Sequence, residues 1–136
     1  MKQNITILGS TGSIGTNTLD VLSRHLDRYQ VFALTASVQV EAILAQCVKF
    51  KPRYAVMAQE NAGRLLAERV KAEGLAVEVL WGAQALDTVA SHPDVQAVMA
   101  AIVGAAGLSP CLAAANSGRR CFFKRRQKRR GRLVAH

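Results

Sequence analysis

The densest set of groups able to do chemistry is the stretch GSTGSIG, residues 9–15, in which glycines stand at 9, 12 and 15. Glycine allows a tight turn and close backbone approach, and a helix beginning there offers unpaired N–H groups at its positive end. Those features suit a phosphate, and the Thr11 and Ser13 hydroxyls add donors. The spacing G-x-x-G-x-x-G is a variant of the dinucleotide fingerprint, which carries that meaning only between a strand and a helix. Outside that context a glycine-rich turn simply connects two elements.

A second candidate group is the stretch ALTASVQ, residues 33–39. NAD-binding folds commonly place an acid about 20 residues after the glycine turn to bond the ribose hydroxyls. No Asp or Glu occurs here before Glu41, so a 2′-phosphate is not repelled, and Ser37 and Gln39 can donate to it. NADP is therefore favoured over NAD, although no Arg or Lys is present to clamp the phosphate. The stretch AAIVGAAGL, residues 100–108, supplies further glycines and reads either as part of the same crevice or as a tight strand-to-helix turn.

The elements needed to hold these groups are legible. Residues 4–9 are a short β-branched and apolar run ending in glycine, and residues 14–25 have helical apolar spacing. Strands follow at 30–36, 54–57, 76–80 and 95–103, and helices at 41–50, 62–73, 84–90 and 108–117. The second helix is stopped by Pro52, and Gly118 suits the left-handed position after the last one. Alternating strands and helices with short connections predict a doubly wound, Rossmann-type α/β domain with a parallel sheet, because parallel neighbours need crossovers.

The 136 residues include 18 Lys and Arg against 9 Asp and Glu, a net charge of +9. Residues 1–118 hold nine cations and nine acids, so the excess lies wholly in the nine cations from Arg119 to Arg132. Two units are expected: a dinucleotide-binding domain over 1–118 and a basic, disordered tail over 119–136 that binds polyanions nonspecifically through counterion release. Cys47, Cys111 and Cys121 have neither metal-type spacing nor an even number, which fits buried thiols in a reducing cytoplasm. The N-terminal apolar run is too short for a signal peptide, and residues 95–108 fall short of the ~20 that a membrane helix needs. His25, His92 and His136 lack ligand spacing. Arg24 and His25 suit the negative end of the first helix, Asp20 a solvated or capping position, and Trp81 packing.

Three segments in order, ITILGSTGSIGTNTLDVLSRH, FKPRYAV and VMAAIVGAAGL, strongly resemble the N-terminal domain of the 1-deoxy-D-xylulose 5-phosphate reductoisomerase family. The resemblance covers residues 1–118. It implies an NADPH enzyme of isoprenoid biosynthesis that rearranges 1-deoxy-D-xylulose 5-phosphate and reduces the product with a hydride to 2-C-methyl-D-erythritol 4-phosphate, as a homodimer using Mg or Mn. It also implies that Gly9, Thr11, Gly12, Ser13 and Ile14 hold the cofactor pyrophosphate, and that Ser37, Val38 and Gln39 meet the adenosine phosphate. Val38 departs from the basic residue found there in many members. Where the family has a strand ending in Ala-Asn-Lys-Glu, this chain reads Lys124, Arg125, Arg126, Gln127, so no role is carried onto those positions. The implied chain is a truncated NADPH-binding domain, inactive alone, whose sheet lacks the next strand because an out-of-frame or rearranged segment replaces it. Two other classes fit the residues: another NAD(P)-binding Rossmann protein, for which a catalytic Tyr-x-x-x-Lys pair is missing, and a polyanion-binding module acting through the tail.

Overall fold

The computed structural model describes residues 2–100, 118, 120–124 and 133–135. Aliphatic and β-branched side chains on both faces of residues 5–8 require cover on both sides, and they form the centre of a sheet. That strand, β1 (Gln3–Leu8), is buried over its last four residues. The chain then alternates through α1 (Ser13–Ser23), β2 (Tyr29–Ala36), α2 (Val40–Phe50), β3 (Tyr54–Met57), α3 (Glu60–Ala72), β4 (Glu78–Trp81), α4 (Ala83–Ser91) and β5 (Ala97–Ala100). Two further strands are β6 (Arg120–Lys124) and β7 (Leu133–Ala135). The order across the sheet is β4-β3-β2-β1-β5-β6-β7, parallel throughout except for the antiparallel β6–β7 pair.

Each crossover helix buries one apolar stripe. Leu19 and Leu22 of α1, Ile43 and Cys47 of α2, and Leu66 and Val70 of α3 pack with Ile5, Ile7, Leu34 and Met57 on one face. Val89 and Ala90 of α4 cover Leu8, Phe32, Val56 and Val98 on the other. Helices on both faces are the doubly wound arrangement expected from the alternation, and the strand order reverses at β1, which has β2 on one side and β5 on the other. Binding crevices in such sheets lie at that reversal, beyond the carboxyl ends of the strands. The register between β1 and β2 slips once: Ile5 faces Val31 and Thr6 faces Ala33, so Phe32 has no counterpart and joins Ala33 on the α4 face.

Boundaries differ from expectation at β4, which begins two residues later and ends one residue later, at Trp81. Trp81 pairs with Met57 and rests on α3 at Gly63, where an added Cβ would lie 2.7 Å from the tryptophan Cβ. Its role is packing, as expected for this aromatic. Gly118 has φ +79°, the left-handed conformation anticipated for it. The helix expected over 108–117, the end of the fifth strand and the glycines of 101–108 fall outside the described residues.

One expectation is corrected. Residues 119–136 are not wholly a disordered tail, and the sheet does not lack its next strand. β6 lies within that segment and pairs in register with β5, Ala97 against Arg120 through Ala100 against Phe123. The physical reason is local: Cys121, Phe122 and Phe123 form an apolar, aromatic run of the kind that favours a strand, and the surrounding cations obscured it.

Candidate nucleotide site

The connection from β1 to α1 carries the candidate phosphate-binding residues. Gly9, at φ +78°, turns the chain out of the strand. Gly15, one turn into α1, is buried against that bend, and a methyl group there would overlap the Gly9 carbonyl and lie 2.6 Å from the Ser10 Cα. The third glycine of the motif therefore permits close helix–strand packing rather than contact with a ligand. Gly12 is the N-cap of α1; no side chain caps the helix and its first turn contains no acid.

Hydrogen bonds divide the turn into an inner and an outer part. The Gly9 N–H donates to Thr35 Oγ1 at 2.9 Å, and the Ser10 N–H donates to the Thr35 carbonyl at 2.8 Å. Ser10 Oγ donates to the same carbonyl at 3.2 Å, and Gln46 Nε2 of α2 donates to the Ser10 carbonyl at 2.8 Å. In contrast, among the described residues nothing accepts from the N–H groups of Thr11, Gly12, Ser13 or Ile14. Those four donors, at an uncapped helix start without carboxylates, make the cradle that suits a phosphate. Gly9 shapes the turn, its own N–H being engaged by Thr35. Gly12 and Ser13 are exposed, whereas Thr11 and Ile14 are half-buried.

Thr35 also links this turn to the second candidate group. It is the penultimate residue of β2, and Ser37, Val38 and Gln39 follow as an exposed segment leading into α2. The strands are adjacent, so the phosphate turn and the segment expected to meet adenosine share one end of the sheet. Glu41, the first acid after β2, is paired with Arg69 of α3. Ser10, Thr35 and Gln46 were missed by reasoning on residue type alone. The available signals were a polar residue at the buried end of a strand and an amide beside the apolar stripe of α2.

The other candidates have structural parts. Arg24, the C-cap of α1, is paired with Asp20 one turn earlier at 2.7 Å, both well exposed. His92 packs on Phe32, ring centroids 4.8 Å apart, at the opposite end of the strands. Cys47 is fully buried, and that burial raises its thiol to about 12. Among the described residues no helix is long and apolar enough to cross a membrane, and no group of three His, Cys, Asp or Glu can hold a metal ion.

The family model for 1-deoxy-D-xylulose 5-phosphate reductoisomerase matches residues 5–123, from β1 into β6. This chain belongs to that family. The family match passes Gly118 and takes in the strand that pairs with β5. The reductoisomerase of Aromatoleum aromaticum is 55% identical over 125 residues, covering 92% of this chain and 31% of that protein. The enzyme of Nitrosospira multiformis is 54% identical over the same share, 92%, and 32% of its own length. The chain thus spans about a third of the reductoisomerases it matches. Among solved structures, a reductoisomerase in complex with NADPH, fosmidomycin and magnesium superposes with a TM-score of 0.84 at 41% identity, covering 88% of this chain and 29% of that one. The Zymomonas mobilis reductoisomerase in complex with NADPH gives 0.84 at 39% identity, covering 90% and 32%. The cradle and the open segment after β2 fit a phosphorylated dinucleotide. The described residues do not fit a resident magnesium ion.

Proposed function

We propose that this chain binds NADPH across the carboxyl end of its sheet and forms the cofactor-binding part of a 1-deoxy-D-xylulose 5-phosphate reductoisomerase. The observation that carries this is the row of four N–H groups from Thr11 to Ile14, at the uncapped start of α1, that no acceptor among the described residues engages. The pyrophosphate sits on that row, Gly12 contributing its N–H, with the Thr11 and Ser13 hydroxyls beside it, and Gly9, at φ +78°, gives the turn its shape. Ser37 and Gln39 donate to the 2′-phosphate. When bound, NADPH supplies the hydride for the reduction; the residues here bind the cofactor and orient it. Substrate rearrangement, the metal that assists it, homodimer assembly and a cytoplasmic setting are proposed for the whole reductoisomerase by family membership.

Fluorescence titration of the full chain with NADPH and NADH tests this reading. Tighter binding of NADPH supports it. Equal affinities would remove the role of Ser37 and Gln39, and absence of binding by either would overturn the assignment.

The nine cations from Arg119 to Arg132 support a second reading, nonspecific polyanion binding. Because β6 belongs to the sheet, the suitable test leaves Arg120 and Lys124 in place and replaces the six cations of residues 125–132 with glutamine. Loss of salt-dependent heparin binding without loss of NADPH binding would separate the two activities.

A further inference from the structure

We infer that Gln46 is a positioning residue of the nucleotide site, acting with Thr35 to fix the Ser10–Thr11 peptide so that the Thr11 N–H faces the cofactor phosphates. This deepens the NADPH reading and rests on it. Two N–H groups of the turn, those of Gly9 and Ser10, are already drawn inward by Thr35. The next peptide unit decides where the outer row of donors begins. A trans peptide is planar, with its N–H directed opposite to its C=O. Gln46 Nε2 holds the Ser10 carbonyl at 2.8 Å, which turns that oxygen toward α2 and the Thr11 N–H away from it. Nothing among the described residues accepts from that N–H.

The rest of the Gln46 amide shows why packing alone does not explain the residue. Its Oε1 is buried and has no hydrogen-bond partner among the described residues. A buried acceptor left unpaired is destabilising, and an aliphatic side chain beside Ile43 and Cys47 would avoid that cost. What an aliphatic side chain would lose is the bond to Ser10. Thr35 holds the two peptides before the Ser10–Thr11 unit, its hydroxyl accepting from the Gly9 N–H of the Leu8–Gly9 peptide and its carbonyl accepting from the Ser10 N–H of the Gly9–Ser10 peptide. Neither residue needs to touch the cofactor. Each holds backbone donors in the orientation that a phosphate requires, sparing the ligand the cost of ordering them.

The test compares Gln46→Leu, Gln46→Glu, Thr35→Val and Thr35→Ser with the wild-type chain, using three probes: NADPH, inorganic pyrophosphate and adenosine 2′-monophosphate. Gln46→Leu is expected to melt no lower than the wild type. It should bind NADPH and pyrophosphate roughly tenfold or more weakly and bind adenosine 2′-monophosphate unchanged. Gln46→Glu keeps the size, lacks the donor and should weaken pyrophosphate in the same way. Thr35→Ser should bind like the wild type, and Thr35→Val should not. Pyrophosphate affinities within twofold of wild type in both Gln46 variants would overturn the inference. So would a parallel loss of all three probes and of melting temperature, which would mark a merely structural role. A wild-type chain that takes up neither NADPH nor pyrophosphate would instead overturn the reading on which the inference rests.

Discussion

The two ends of the same strands are finished in opposite ways. At the amino ends, side chains close the backbone: Asn4 Nδ2 donates to the Asp94 carbonyl at 2.8 Å, the Asn4 N–H donates to Gln96 Oε1 at 2.6 Å, and Arg53 pairs with Asp94 at 3.0 Å. Phe32, Tyr54 and His92 stack beside them, with the Arg53 guanidinium over two of the rings. At the carboxyl ends, glycines replace bulky residues and, among the described residues, nothing engages four N–H groups at the start of α1. The difference teaches where this fold keeps its capacity to bind. Donors already satisfied by the protein contribute to stability, whereas donors left for water can exchange water for a ligand. Substitutions at one end should therefore change stability alone, and at the other end affinity as well.

The largest effect is expected for Gly15→Ala. The added methyl meets backbone rather than a flexible side chain, so the turn itself must shift. Denaturant unfolding should show a loss of about 1–3 kcal/mol, the usual cost of overpacking, and NADPH titration of the remaining folded protein should give no detectable binding. Retention of wild-type affinity would break the comparison, because the carboxyl-end turn would then not be the site.

His92→Ala tests the opposite end. It removes two ring contacts, and with them the Nδ1 acceptor for the Asp94 N–H. About 1–2 kcal/mol of stability should be lost, while the NADPH dissociation constant stays within twofold. A matching loss of affinity would show that the two ends are coupled through the sheet.

Cys47 lies in the core between them. Its folded thiol is raised from 9.0 to about 12 because burial disfavours the thiolate, so the unfolded chain loses this proton first as pH rises. The stabilising contribution is whole below pH 9 and is lost as pH rises from there towards 12. Relative to Cys47→Ala, wild-type stability should fall by up to about 1.4 kcal/mol per pH unit in that window. Parallel pH profiles would contradict the buried thiol. In the native state at pH 8, mass mapping should find Cys47 unalkylated.

The smallest effect belongs to Arg24→Ala. It breaks an exposed i,i+4 pair with Asp20, and unfolding should change by less than about 0.5 kcal/mol with affinity unaltered.

Much of the architecture was legible because its signals are local. Alternation of apolar runs placed β1, β2 and β3 within a residue of their observed bounds, and the glycine spacing placed the turn at the carboxyl end of β1. The two glycines with distinct duties, Gly9 for the bend and Gly15 for the close approach, could not be told apart by spacing, since one duty depends on φ and the other on a neighbouring backbone. β6 is hidden in the sequence because its short apolar run lies within a block of cations, whereas pairing with β5 is decided locally, from Arg120 to Phe123. Thr35 and Gln46 were missed because they are 26 and 36 residues from their partners in the turn.

The sequence by itself determined the family, the order of strands and helices from β1 to β5, and the presence of a phosphate-binding turn, because residue type and spacing fix φ preferences and amphipathic faces within a few residues. Only the tertiary structure decided which N–H groups of that turn remain available. That outcome depends on where β2 and α2 bring Thr35 and Gln46 against β1, and contacts between elements distant in the chain follow from packing of the whole sheet.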